Sequence, residues 1–330
     1  MPRDYDIIAL GEAMLRLSPP DLQRLEQTTR LDMKVGGAEL NVAADAARLG
    51  LRTAWLSRLP DSPLGRIVRN KAREQGVDMS HVIWDAAHRM GLYFVEFGAQ
   101  PRPSSVLYDR SDSAISHLQP GDFEWAALFS RSRLFHVSGI TPALSSSCAE
   151  ATLTAARAAR EAGCLVSVDA NYRAKLWSEA AANRVMTELM QHTDVLITTE
   201  EDTRRVFGIT APTYQEVARA LQARFALKTV AITLRETPGV LRQRWSAFAL
   251  SGDQLYEAPT YELEVVDRLG AGDSFTAGFL WGYLQDDIAK GVRYGTAFSA
   301  LKHSMPGDFH WGTREEVEAL LKDGGLRIQR

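Results

Sequence analysis

The chain has 330 residues, 45% of them hydrophobic, which is enough to bury a large core. Its 38 basic and 41 acidic residues give a formal charge of −3 with no long basic tract, so no nucleic-acid partner is expected. No apolar stretch could span a bilayer, the short run at residues 7–10 lacks the form of a secretion signal, and Cys148 and Cys164 form no metal-spaced cluster. The expectation is therefore a cytoplasmic protein with no membrane partner.

In chain order, residues 7–10 read as a buried strand ending at Gly11. Residues 14–35 carry no helical pattern. Residues 41–49 read as an Ala-rich helix closed by Gly50, 53–56 as a strand, and 62–75 as a helix stopped by Gly76. Residues 90–116 again lack a helix. Within them, 91–97 and 105–108 suit a hairpin across the Gly/Pro-containing turn 98–103, and both non-helical stretches suit one small separate sheet. Strands are expected at 134–137, 165–169, 195–197 and 229–234, and helices at 145–162, 180–191 and 214–225. A further hairpin, 244–250 with 254–257, suits a sheet edge. The repeated strand, helix, glycine order predicts an α/β fold: a doubly wound, mostly parallel sheet with helices on both faces.

The densest chemistry is Asp267-Arg268-Leu269-Gly270-Ala271-Gly272-Asp273-Ser274-Phe275, between a strand expected at 263–266 and a helix expected at 274–284. Gly270 and Gly272 permit a tight turn with exposed N–H groups, and the helix dipole behind them favours negative charge. A carboxylate at such an anion hole opposes phosphate unless its task is to take a proton from an attacking alcohol. The pairing suits phosphoryl transfer. The plainer alternative is a helix capped by Asp273 after a glycine turn. A nicotinamide fingerprint, a P-loop, a zinc-protease motif and a nucleophile elbow are all missing. The seven histidines are scattered, and none is assigned to a metal.

Residues 267–280, DRLGAGDSFTAGFL, resemble the C-terminal signature of the ribokinase-like (PfkB-type) carbohydrate kinases, and Gly36-Gly37-Ala38-Glu39-Leu40-Asn41-Val42-Ala43 through Gly50 resembles their N-terminal signature. The likeness runs from Gly11 to the C-terminal helix. Within the family it is greatest to the 2-keto-3-deoxygluconate kinases. It implies a core of residues 1–13, 36–89 and 117–330 holding the nucleotide, and a β-sheet lid of 14–35 and 90–116 over the sugar. Closure would exclude water. The implied chemistry is transfer from MgATP to the terminal hydroxyl of 2-keto-3-deoxygluconate, with Asp273 as base and Gly270, Ala271 and Gly272 as anion hole.

The same resemblance points to Gly36, Gly37, Asn41, Tyr93, Tyr108, Arg110, Asn171, Arg173 and Asp308 for the sugar acid. Tyrosines suit a polyol with an apolar face, and arginines suit a carboxylate. Thr199, Asp202, Thr233, Arg235, Gly239, Gly270 and Gly272 are the expected nucleotide residues. Three positions depart from the family pattern. Thr199 and Asp202 stand where many relatives carry Asn-x-x-Glu, Arg235 stands where lysine and glycine are usual, and Arg16 stands where relatives with neutral sugars often place an acid. Arg16 suits a negatively charged substrate or a salt bridge. The alternatives are a kinase of another sugar (2-ketogluconate, fructose or a ketodeoxy epimer) and a catalytically idle sugar-binding relative. Self-association is left open; small sheets with free edges invite it.

Overall fold

The computed structural model describes residues 3–322. Its main sheet runs Gln254–Glu257, Arg242–Ser251, Thr229–Gly239, Val195–Thr198, Leu165–Asp169, Ser132–Ser138, Tyr5–Leu10 and Thr53–Leu56, with Tyr261–Glu264 also paired to Arg242–Ser251. From Thr53–Leu56 to Thr229–Gly239 every pairing is parallel, and the remaining edge is an antiparallel hairpin. Successive residues of a strand face opposite ways, and the two faces carry separate cores. Ile8, Phe135, Val166 and Leu196 pack under Ser146–Glu161, Glu179–Met190 and Tyr214–Phe225, whereas Ile7, Leu134, Val195 and Ala231 pack under Ala38–Arg48, Ala271–Tyr283 and Ile288–Lys302. This is the doubly wound arrangement expected. Among the described residues no helix is long and apolar enough to cross a membrane.

Helix starts are set by side chains. Ser62, Ser145, Ser178 and Thr213 each accept a backbone N–H of the first turn, so these helices begin just after the cap. Several elements differ from expectation, two of them markedly. Thr229–Gly239 continues past Leu234, because the edge hairpin leaves Glu236 to Pro238 exposed and tolerates polar residues there. The helix Ile288–Lys302, unmarked by the sequence reading, contains Gly291 and Gly295, which ordinarily weaken helices. Here they let it cross Ala271–Tyr283 at close range: a Cβ on Gly278 would lie 2.7 Å from the Gly295 Cα, and one on Gly282 2.4 Å from the Gly291 Cα.

The two non-helical stretches supply one four-stranded sheet, ordered Asp32–Gly36, Met14–Ser18, Leu92–Glu96, Ser105–Asp109. Its register aligns Lys34, Arg16, Tyr93 and Tyr108 in one cross-strand row. Directly opposed residues share a face, so these four side chains belong to the same side of the sheet. A second short parallel pair, Arg58–Pro60 with Ile83–Asp85, was not anticipated.

Candidate active site

The site gathers at the carboxyl ends of the parallel strands, around the point where the strand order reverses beside Tyr5–Leu10. Leu165–Asp169 delivers Asp169, Asn171 and Arg173, and Val195–Thr198 delivers Thr199 and Asp202. With Thr233, Arg235, Arg268 and Gly270 to Asp273 they line a cavity of about 530 Å³.

Gly270 is the N-cap of Ala271–Tyr283, with φ 82, a left-handed backbone that glycine adopts without strain. A Cβ there would also lie 2.0 Å from the Asp308 carbonyl oxygen. Ser274 N–H closes the first helical bond on the Gly270 carbonyl at 2.8 Å, so the Gly272 and Asp273 amides precede the helical ladder. Asp273 therefore sits inside the first turn and does not cap the helix, contrary to the plainer sequence alternative. Burial pushes its carboxyl up to about 7; a hydrogen bond from Asn41 opposes the rise, and the charges of Asp308 and Glu39 add to it. Asn41 Nδ2 donates to Asp273 Oδ2 at 2.6 Å, while Asn41 Oδ1 accepts Gly37 N–H. The N-terminal glycine pair thus fixes the amide that fixes the carboxylate.

Two further acids stand nearby. Burial, then the charges of Asp273 and Asp202, push Asp169 well above the usual carboxylate range. Burial also raises Asp202, against the pull of Arg173. Thr199 is engaged in capping, its hydroxyl accepting Asp202 N–H at 3.1 Å. The Arg173 guanidinium donates to the Tyr172 carbonyl at 3.1 Å and faces these carboxylates electrostatically.

Beneath the small sheet lies a second set of charges. Arg16, buried, donates to Asp267 at 2.6 Å and to Asp308 at 2.8 Å. Burial works against its charge, but Asp308 and Asp267 raise its pKa above the ordinary arginine value. The Tyr93 hydroxyl donates to the other oxygen of Asp308. Gly36 makes room for this: a Cβ there would lie 2.3 Å from Asp308 Oδ2 and 2.5 Å from the Tyr93 oxygen. Tyr108 stacks beside Tyr93 with ring centroids 6.0 Å apart.

The expected residues fall into three groups. Asn171, Arg173, Thr199, Asp202, Thr233, Arg235, Gly270, Ala271, Gly272 and Asp273 share the main cavity. Gly36, Gly37, Asn41, Tyr93 and Asp308 join it to the small sheet by the contacts above, with Tyr108 beside Tyr93. Arg110 and Gly239 lie at the margins. Arg110 pairs with Glu12, which also accepts from Ser113; its guanidinium lies over the Tyr108 ring, 5.4 Å from the centroid, and its buried Nε has no partner. Gly239 lies at the hairpin end beside a different cavity, with Val95, Phe97 and Leu269. The sequence reading missed Asp169, Asp267, Arg268 and Glu12 as site components. Asp267 stood inside the quoted signature, but its partner Arg16 is remote in sequence. Asp45 was also missed: it lies one helical turn after Asn41, accepts from the Ser274 hydroxyl and from His310 N–H at 2.8 Å, and is pushed up to about 7, chiefly by burial.

Known proteins match this architecture along nearly its full length. A 2-dehydro-3-deoxygluconokinase structure from Thermotoga maritima superposes with a TM-score of 0.94 and 40% identity, covering 96% of this chain and 99% of that one. A 2-dehydro-3-deoxygalactonokinase of Haloferax volcanii is 39% identical over 98% of this chain and 99% of its own. A 5-dehydro-2-deoxygluconokinase of Shouchella clausii is 31% identical over 97% of each. The family described as pfkB family carbohydrate kinase matches residues 4–309. The chain belongs to the pfkB family of carbohydrate kinases.

Proposed function

We propose that the chain phosphorylates the terminal hydroxyl of a 2-keto-3-deoxy sugar acid, 2-keto-3-deoxygluconate foremost, at the expense of MgATP. The observation carrying this reading is the Asp273 carboxylate, held by Asn41 at the start of a helix whose first amides are free of the helical ladder. The substrate oxygen bonds to the γ-phosphorus, its proton passes to Asp273, and ADP leaves with the electron pair of the broken P–O bond. The product is 2-keto-3-deoxy-6-phosphogluconate. The Gly270 turn would receive the charge that develops on the transferring group.

Arg173 is the guanidinium we assign to the substrate carboxylate or the nucleotide phosphates, because the Tyr172 carbonyl leaves most of its donors free. Tyr93, Tyr108, Gly36, Gly37 and Asn171 would shape the sugar side, and Thr233 and Arg235 the nucleotide side. Asp169 and Asp202 fit a hard divalent cation, since their raised pKa values mark charge that a cation would relieve. Magnesium bound there with the nucleotide would neutralise phosphate charge. The small sheet would act as the lid, with the Arg16–Asp308–Tyr93 contacts as its closed seat.

The likeness to a galactonokinase favours a second reading, in which the preferred acid is the galactose-derived epimer. Coupled ATP turnover across both ketodeoxy acids, 2-ketogluconate, fructose and ribose separates these readings. Turnover of a ketodeoxy acid that is lost in Asp273→Asn supports the proposal. Preference for a neutral sugar, or undiminished activity in Asp273→Asn, contradicts it.

A further inference from the structure

Where the chain enters and leaves the small sheet, two segments run side by side. The stretch before Leu92–Glu96 carries His88, and the stretch after Ser105–Asp109 carries Asp112 and His117. They are tied by Ala114 N–H to the Arg89 carbonyl at 2.9 Å and by the Arg89–Asp109 ion pair. His88 and His117 stack with ring centroids 3.5 Å apart, and ligating atoms of His88, Asp112 and His117 all lie within 4.8 Å of one another.

We propose that His88, Asp112 and His117 form a binding site for a zinc-class divalent transition metal at the root of the small sheet. Two imidazoles and a carboxylate are a donor set this class of ion takes, with solvent completing the shell. Metal binding requires His117 to turn out of the present stack, because rings 22° from parallel direct their in-plane lone pairs side by side and not at one point; the partly exposed His117 and exposed Asp112 side chains have the room to turn. The tautomer of His88 is set: Nδ1 lies 2.7 Å from Asp85 Oδ2, so it carries the proton and leaves the Nε2 lone pair for a metal. Asp85 is itself held by Arg58 Nε at 2.7 Å and by Ala87 N–H at 2.7 Å. A carboxylate behind a ligating histidine orients the ring and strengthens it as a donor. Asp112 Oδ1 lies 2.6 Å from His117 Nε2, so an entering cation displaces the proton shared there and bonds to both. The bound ion joins the strand-entry segment to the strand-exit segment. It thus stiffens the small sheet's attachment without touching the phosphoryl-transfer residues.

The test uses the full chain, stripped with a chelator and titrated with Co²⁺ as a spectroscopic probe and with Zn²⁺ as competitor. The expected result is one equivalent of Co²⁺ giving the intense visible bands of low-coordinate cobalt, bleached by Zn²⁺. His88→Gln and His117→Gln should each weaken binding by about tenfold or more, while Asp202→Asn in the main cavity leaves the bands unchanged. Asp112→Asn, at an exposed side chain, supplies a variant whose fold is least disturbed. Metal-free melting of each variant at the wild-type temperature shows that lost binding is not lost folding. No visible bands in the wild type, or bands that persist in His88→Gln and His117→Gln, overturn the proposal.

Discussion

Two sets of carboxylates flank the Gly270 turn, and they differ in how they are paired. Asp267 and Asp308 are saturated: Arg16 bridges both, Tyr93 holds Asp308, and the Gly307 and Leu269 amides hold Asp267. Asp169, Asp202 and Asp273 face a cavity with few donors; burial raises all three, as it also raises Asp308, so the two sets differ in their hydrogen-bond and ion partners. Paired acids join the small sheet to the core. Underpaired acids keep open oxygens for a proton or a cation. Opposite uses of one residue type within a single site therefore follow from what each carboxylate touches.

The comparison breaks most sharply at Asp273. Asp273→Asn keeps the shape and the approach of Asn41 but removes the proton acceptor, and turnover should fall by about 10²–10⁴-fold, read in a coupled ATP assay. On the saturated side, Arg16→Met leaves Asp267 and Asp308 buried without their cation. Urea unfolding should show a loss of about 3–5 kcal/mol; a near-neutral effect would mean that the bridge contributes little to the fold. Between the two regions, Arg173→Ala should cut kcat/KM for the acid sugar by about 10–100-fold, the scale of a charged hydrogen bond. An equal loss on a neutral sugar would move Arg173 to the phosphates.

A smaller effect concerns stability. Asp273 has a folded-state pKa of about 7, above its unfolded value. The stability linked to its proton is therefore fully present below about pH 4 and lost as pH rises through about 7. Asp273→Asn should accordingly be more stable than the wild type above pH 7, by on the order of 1–3 kcal/mol. Smallest of all, Asn41→Ala removes a donor that favours the charged carboxylate. The acid limb of the rate should move to higher pH, where loss of rate with no shift would assign Asn41 to substrate alone.

The contrast between the two acid sets was only half legible in the sequence. Local pattern was enough for Leu165–Asp169 and Tyr214–Phe225, whose bounds match the expectation, since a short, mostly buried run rich in valine and a Thr213 capping box are local signals. Asp273 and its glycines were likewise visible as one contiguous stretch. The Arg16 bridge was not, because its partners meet only after the small sheet closes on the core. For Arg110 the sequence does not show Glu12, its partner in the fold, because the two lie far apart along the chain. The helix Ile288–Lys302 received no reading from the sequence; Gly291 and Gly295 lower its helix propensity, and their fit against Gly278 and Gly282 shows only in the fold.

The most direct test of the account is the pH dependence of kcat for the preferred ketodeoxy acid, between about pH 5 and 9, in the wild type and Asp273→Asn. Asp273 acting as base predicts a rate that rises with pH along a limb centred near 7, and a residual rate in Asp273→Asn that lacks that limb. A limb that persists in Asp273→Asn, or a wild-type rate that is flat across the range, would contradict it.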